Sequence, residues 1–545
     1  MIQSLIKQLE CVFKQSWDKP AFTDYESGLT YTYGEVATKI RYIHFLFEEL
    51  NIKPGDKIAI CGKNCTNWSV AMLAIITYRA VAVPLLSDYS SMQLVSLCEH
   101  CDAKFMIGEK RLKDLWPTGE CPMYLLDIED LLALVPSMYT DGIEKNAFNK
   151  FYEAYKGNYT AEDVCYEAEN PEDLMLLSYT SGSTGRPKGV MLSYRSICSN
   201  LLFAQDAFGN KFTLKQLVVI LPMAHMFGFT FDFLYSVIQG AHLNIITKVP
   251  TPKVLLAAFE KFKPEYFLCV PLIMEKIINS KVLPVINTPR MKFMLKVPVL
   301  RQFICAKIRK QLIQAFGGNI YEVIMGGAAL SKEVEKVLKM IKFPYTIGYG
   351  MTECAPIIAY EDWHDIRLGS CGKAASRMTV KVLSEDPQNI PGEIIAKGDN
   401  LMMGYYKNQE ATEETIDQDG WLHTGDLGVI DRDGFIYIRG RKKNMLLGSN
   451  GQNIYPEEAE DQIITHSIFE ECVVVSREGK LVGLVYVSDL TLKLLGCSRE
   501  SLDLNAICSE VNTHLPKYCQ LSKLEQRSEE FEKTPKKSIR RFLYK

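Results

Sequence analysis

The stretch Leu174-Met-Leu-Leu-Ser-Tyr-Thr-Ser-Gly-Ser-Thr-Gly-Arg-Pro-Lys-Gly-Val190 decides how this chain is read. An apolar run ends at Tyr179 and passes directly into a loop of glycines and small hydroxyl residues, with Lys188 near its end. Gly182, Gly185 and Gly189 permit positive φ and close approach of the backbone to a ligand. Successive exposed N–H groups in such a loop form an anion-binding nest. Thr180, Ser181, Ser183 and Thr184 add hydroxyl donors, and Lys188 adds a full positive charge. At an effective dielectric of about 20 that charge is worth about 4 kcal/mol to an anion about 4 Å away. The loop is not a Walker A motif, which ends Gly-Lys-Ser/Thr; here Lys188 precedes Gly189 and Val190. A flexible surface linker is the blander reading, and it sits poorly directly after a buried strand.

Outward from the loop, strand-like and helix-like runs alternate: a strand at 29–33, a helix at 33–50, a strand at 57–60, a helix at 71–81 and a strand at 82–86. Further strand-like runs fall at 218–221, 243–247, 266–270, 321–325 and 344–349. Alternation of this kind predicts an α/β fold of layered helices and sheets with largely parallel strands. After Arg439 the texture changes. The run Arg441-Lys442-Lys443 follows a short strand at 435–438. Beyond it lie a helix at 456–466, strands at 471–476 and 481–488, and a helix at 502–514. This predicts a large domain of several subdomains over residues 1–440 and a small, mobile α+β domain over 441–545, with a hinge near Lys443.

The chain has 545 residues, long enough for three or four structural units at about 150 residues each. Its 62 Lys and Arg against 65 Asp and Glu give a net charge of -3, which excludes a global polycation built for nucleic acid. The amino-terminal residues read as an amphipathic helix with Ile2, Leu5, Ile6, Leu9 and Phe13 near one face. They lack the long apolar core of a secretory signal. The most apolar candidate for a membrane span, residues 217–238, contains Pro222, His225, Gly228 and Asp232, so it reads as buried core. Sixteen scattered cysteines without a signal predict reduced thiols and a cytoplasmic protein. Cys61, Cys65, Cys98 and Cys101 fit no zinc template and read as buried structural cysteines.

Further motifs follow in order: Leu221-Pro-Met-Ala-His225, Gly326-Gly-Ala328, Tyr349-Gly-Met-Thr-Glu353, Gly404-Tyr-Tyr-Lys-Asn408, Gly420-Trp421 with Thr424-Gly-Asp426, and Gly440-Arg441. With the loop at 179–190, this ordered set resembles the adenylate-forming superfamily of acyl-CoA synthetases, firefly-type luciferases and peptide-synthetase adenylation domains. The resemblance covers nearly the whole chain and is strongest to fatty acyl-CoA synthetases.

The resemblance implies ATP, Mg²⁺ and CoA as reaction partners. The loop Thr180 to Gly185 and Lys188 would cradle phosphates. Glu353, a hard oxygen ligand, would hold the metal together with Thr180. Gly326, Gly327, Ala328 and Tyr349 to Thr352 (Tyr349, Gly350, Met351, Thr352) would form the adenine pocket, with Tyr349 stacking on the base. Asp426 would accept from the ribose hydroxyls, with Arg441 a second contact. His225 is either a satisfied core histidine or, as the resemblance implies, a residue beside the acyl pocket. Gly451 would line the pantetheine tunnel. The small domain would rotate between two half-reactions, adenylation and thioester formation.

One departure stands out. Relatives end in Thr-Pro, two residues, then a Lys that reaches the carboxylate and α-phosphate. Counting from Thr534-Pro535 puts Ser538 at that place. Losing such a stabiliser costs on the order of 10²–10³ in rate. Three readings follow: Lys537 substitutes by a one-residue slip, adenylation is slow, or the protein has become a binder. The expected function is ATP-dependent activation of an apolar, fatty carboxylic acid and its transfer to CoA. Arrest at acyl-AMP and transfer to a carrier-protein thiol are the alternatives. Residues 274–310, from Met274 to Lys310, hold nine Lys or Arg against one acid, Glu275, about +8. They read either as a membrane-surface or anionic-ligand patch, hence a peripheral protein, or as a solvated helical insertion with snorkelling lysines.

Overall fold

A buried sheet carries the loop. Its seven strands run in the order Gly404–Tyr405, Lys188–Ser193, Leu174–Thr180, Val81–Leu85, Lys57–Cys61, Phe105–Gly108 and Tyr124–Asp127. The strands from Leu174–Thr180 through Tyr124–Asp127 are mutually parallel. Lys188–Ser193 turns back antiparallel on Leu174–Thr180, and Gly404–Tyr405 closes the edge. The computed structural model describes residues 4–544 except 115–122, 132–141, 181–186, 210, 212–213, 249, 448–452, 467, 478–479 and 534–538.

Local sequence explains the flanking helices. Helix Tyr33–Glu49 starts at a capping box: Thr32 Oγ1 accepts from the Glu35 N–H at 3.1 Å, and the Glu35 carboxylate accepts from the Thr32 N–H at 2.7 Å. The amino-terminal helix Leu5–Gln15 buries Leu5, Ile6, Leu9 and Phe13, the face its periodicity predicts; Ile2 lies outside the described residues. Glu169 anchors its first turn, accepting from the Leu5 N–H at 2.6 Å. The helix expected at 71–81 instead spans Thr66–Thr77, and Val81 already belongs to a strand. Every residue of that helix is buried, so it has no polar face whose periodicity would mark its ends.

The stretch 217–238 is folded core. It comprises the end of strand Gln216–Val219, a turn, a π-helical stretch Gly228–Leu234 and helix Tyr235–Ile238. No helix among the described residues is long and apolar enough to cross a membrane. Cys61, Cys98 and Cys101 are buried in one apolar cluster, where burial pushes the Cys61 thiol up to about 12.

A parallel sheet of Tyr266–Cys269, Glu322–Met325 and Tyr345–Ile347 has its own apolar cluster around Phe259, Phe316 and Val323. An antiparallel sheet of Met378–Leu383, Gly392–Gly398, Leu422–Ile430 and Ile436–Arg441 follows. Beyond Gly440, helices Pro456–Ile464 and Leu504–Thr513 pack with the sheet Glu471–Arg477, Lys480–Tyr486 and Leu521–Arg527 around a separate cluster that includes Ile463, Val485 and Leu524. The strand Leu521–Arg527 has no counterpart in the sequence reading. Its sequence, LSKLEQR, buries only Leu521 and Leu524, which gives no period-2 signal. Near the carboxyl end, Lys533 and Ile539 form an antiparallel bridge. Lys533 pairs with Glu471, Arg541 pairs with the buried Glu460, and the Glu532 N–H donates to the Tyr544 hydroxyl at 2.7 Å.

Candidate active site

The expected site residues form two clusters, and the segment Tyr349 to Glu353 contributes a residue to each. The first is built on the loop's two strands. Thr180 ends one and Lys188 begins the next, and the two are register partners. Thr180 Oγ1 donates to the Lys188 carbonyl at 3.5 Å. The Lys188 ammonium lies 4.5 Å from the Tyr405 ring centre, a cation–π contact. Tyr405 in turn donates its hydroxyl proton to Glu353 Oε1 at 2.9 Å. Glu353 is buried on the short 3-10 turn Thr352–Cys354, which backbone bonds hold in place. The Met402 N–H donates to the Glu353 carbonyl at 2.8 Å. Asn200 Nδ2 donates to the Cys354 carbonyl at 3.1 Å, and Thr230 Oγ1 to the Ala355 carbonyl at 3.1 Å. Asn200 and Thr230 are buried, and Asn200 also donates to the Ser196 carbonyl and accepts from the Ile357 N–H.

The second cluster joins Tyr349, Asp426 and Arg441. Asp426 and Arg441 are register partners on adjacent strands. The Arg441 Nε donates to Asp426 Oδ1 at 3.1 Å, and the Tyr349 hydroxyl donates to Oδ2 at 2.7 Å. Burial pushes the Asp426 carboxyl above the usual range, and the Arg441 guanidinium and Tyr349 hydroxyl pull it back. Burial, with Asp426 beside it, pushes the Tyr349 phenol well up. Gly350 is a forced choice, because a Cβ there would stand 2.1 Å from the Pro356 carbonyl oxygen. Met351 donates its N–H to that same carbonyl at 2.9 Å.

Gly326, Gly327 and Ala328 follow strand Glu322–Met325. The Gly326 N–H donates to the Cys269 carbonyl at 3.3 Å. Gly327 has φ +84°, and a Cβ there would meet nothing within 4 Å, so open space lies over this turn. Phe227 covers Gly326, its ring 3.2 Å from where a Cβ would be. His225, two residues earlier, therefore lies on the segment that packs against the Gly326 turn. Its N–H donates to the Pro222 carbonyl at 2.9 Å. Ser181, Gly182, Ser183, Thr184, Gly185, Gly451, Lys537 and Ser538 lie outside the described residues.

Sequence reasoning assigned no role to Tyr405, although it quoted the motif Gly404-Tyr-Tyr-Lys-Asn408 that contains it. It read Lys443 only as a hinge. In the structure the Lys443 ammonium lies within electrostatic reach of Lys188, Arg441 and Glu353, and burial followed by the two cations lowers its proton affinity. Lys443 thus touches the fields of both clusters.

A family profile described as AMP-binding enzyme matches residues 10–406, and the chain belongs to that family. It is an adenylate-forming acid–thiol ligase of mixed α/β fold. It is 26% identical over 516 residues to the long-chain-fatty-acid–CoA ligase FadD15 of Mycobacterium bovis, covering 88% of this chain and 81% of that one. It is 27% identical to the long-chain-fatty-acid–CoA ligase of Escherichia coli O6:H1, covering 87% and 83%. To 4-coumarate–CoA ligase 1 of Arabidopsis thaliana it is 27% identical, covering 86% and 80%. Among solved structures it shares its fold with o-succinylbenzoate coenzyme A synthetase of Bacillus subtilis in complex with ATP and magnesium (TM-score 0.76, 20% identity, 98% of each chain). It also shares its fold with ATP-bound MatB of Rhodopseudomonas palustris (TM-score 0.77, 19% identity, 99% of this chain and 98% of that one).

Proposed function

We propose that this enzyme joins a fatty carboxylic acid to AMP, releasing pyrophosphate, and then passes the acyl group to the thiol of CoA, releasing AMP. The observation that carries the reading is the chain Lys188–Tyr405–Glu353, one cation and one carboxylate aligned on a single tyrosine beside the loop's ends. The two long-chain fatty acid ligases above, together with the apolar, Phe-rich stretch after His225, favour a fatty acid.

A carboxylate is a poor acyl donor because its leaving group is poor; the mixed anhydride with AMP has a good one. Activation therefore depends on position and charge neutralisation. Thr180 and Lys188 at the ends of the loop would bind phosphate oxygens. Tyr349 and the open turn at Gly327 would receive adenine, and Asp426, steadied by Arg441, the ribose. His225 would orient the acid.

The residues fit a magnesium ion. Tyr405 engages one oxygen of Glu353, and no hydrogen bond among the described residues occupies the other. No group of three or more His, Cys, Asp or Glu side chains suited to a metal exists among the described residues. One carboxylate, completed by substrate phosphates, is the kind of site magnesium takes. Bound there, the ion would offset negative charge on the triphosphate. The residues after Lys443 would form the mobile small domain, with Gly451 at the pantetheine.

The Ser538 departure favours a second reading, slow adenylation or a catalytically weak binder. AMP release, measured with and without CoA over a series of acid chain lengths, separates the readings. Release that requires both acid and CoA supports the proposal. Acyl-AMP accumulating whether or not CoA is present points to an acyl-AMP ligase or a carrier-protein acceptor. Tight ATP binding without turnover overturns the enzymatic reading.

A further inference from the structure

Two residues beyond Cys269, whose carbonyl accepts from Gly326, the chain enters helix Pro271–Ile277 and then the π-helical turn Ile278–Val282, helix Leu283–Ile286, helix Pro289–Lys296 and helix Pro298–Ala315. The inner side of this run is ordinary core. Met274, Ile278, Val282, Ile286, Cys305 and Leu312 join the cluster around Phe259 and Phe316. The outer side is not ordinary. Helix Pro289–Lys296 buries no residue at all. Phe293 is 71% exposed, Val299 76% and Phe303 72%, with Leu272 and Val285 also exposed. Exposed apolar side chains are ordinary singly, but a series of large ones gathered on one run of helices marks an interaction surface.

Charge sharpens the choice of partner. Residues 274–310 carry nine Lys or Arg, all of them exposed except the half-buried Arg309. Among the described residues none of the nine forms an ion pair with a carboxylate. The single acid, Glu275, is turned inward and accepts from the Ser331 N–H at 2.8 Å. Arg290, Lys292 and Lys296 flank Phe293, while Arg301 and Lys307 flank Phe303. A soluble polyanion would need only the cations. Cations interleaved with protruding phenylalanines match a surface whose headgroups are anionic and whose interior is apolar.

We propose that residues 272–310 dock this enzyme onto anionic phospholipid bilayers, with Phe293, Val299 and Phe303 entering the headgroup boundary and the flanking lysines and arginines contacting lipid phosphates. The segment begins just beyond strand Tyr266–Cys269, whose Cys269 carbonyl accepts from the Gly326 N–H, so docking would tether the part of the fold that carries the Gly326 turn. The proposal stands on the surface alone and does not depend on the acid that the site activates.

The test is cosedimentation of the full chain with vesicles of phosphatidylcholine and with vesicles of phosphatidylcholine mixed with phosphatidylglycerol. Binding to the mixed vesicles, weakening as salt rises, is expected, with little binding to the neutral ones. Lys292→Glu with Lys296→Glu lowers affinity for the mixed vesicles by about tenfold or more. Phe293→Ser with Phe303→Ser lowers it too, and most clearly at high salt where the charge contribution is screened. All four sites are exposed, and unchanged thermal unfolding checks that the variants fold. Phe293→Trp in an otherwise unaltered chain supplies a second readout, an emission blue shift on adding mixed vesicles. Absence of vesicle binding and of that shift overturns the proposal. So does binding to heparin that the phenylalanine substitutions leave intact while vesicles are not bound, since that would make this a surface for a soluble polyanion.

Discussion

Tyr405 donates its hydroxyl proton to Glu353 at 2.9 Å while the Lys188 ammonium sits 4.5 Å from the centre of the same ring. One side chain from the edge strand Gly404–Tyr405 thereby contacts both charges. Removing only the hydroxyl in Tyr405→Phe keeps the ring under Lys188 and frees Glu353. A hydrogen bond to a charged group is worth about 1.5–3 kcal/mol, so acid-dependent pyrophosphate exchange should fall by about tenfold or more. The magnesium concentration for half-maximal rate should rise with it. Tyr405→Ala should lose more. A Tyr405→Phe enzyme with unchanged magnesium dependence would show that the bond merely packs the turn.

Arg441 opposes the effect of burial on Asp426. Without the guanidinium, the carboxyl moves further up and protonates at a higher pH. Nucleotide affinity of Arg441→Ala, measured calorimetrically, should therefore begin to fall at a higher pH than that of the parent as pH is lowered. Parallel pH profiles for the two proteins would remove Asp426 from nucleotide binding.

Asp232 is buried in the π-helical stretch, and among the described residues neither carboxyl oxygen has a hydrogen-bond partner. Burial pushes its proton affinity well up, so the folded protein holds it neutral. The unfolded chain ionises it near the ordinary Asp value of about 3.9. The folded state thus binds more protons, and this carboxyl destabilises the fold increasingly as pH rises above that value, by up to about 1.4 kcal/mol per pH unit. Asp232→Asn should raise the urea midpoint at pH 8, with the gain shrinking towards pH 4. A gain independent of pH would contradict the assignment.

Ser538→Lys should raise the rate of pyrophosphate exchange by on the order of 10² if position 538 faces the reacting phosphate. Lys537→Ala in the parent should lower it if Lys537 already serves. An exchange rate indifferent to both substitutions would place the adenylating cation elsewhere, and Lys443→Ala would be the next variant to assay.

The candidate site stood out in the sequence where its residue types are unusual. Glycines and hydroxyls between Tyr179 and Val190, and acids such as Glu353 and Asp426 in small polar motifs, stand out from any structural background. Tyr405 did not, because a tyrosine in a short edge strand is ordinary until its hydroxyl is seen to reach a residue 52 positions away. Helix Thr66–Thr77 was misplaced because burial on all sides erases the periodicity that marks helix ends. Strand Leu521–Arg527 was missed because its charged residues, Lys523, Glu525 and Arg527, outweigh two buried leucines. The amino-terminal helix, with one clean apolar face, was read correctly.

Lys533 and Ile539, on either side of residues 534–538, form an antiparallel bridge. The ion pair of Lys533 with Glu471 ties one flank to strand Glu471–Arg477, and that of Arg541 with Glu460 ties the other to helix Pro456–Ile464. A one-residue shift of the flanking chain would take Ile539 out of that pairing and Arg541 from Glu460. A substitution at residue 538 leaves both flanking contacts in register, whereas an insertion or deletion there would force them to readjust.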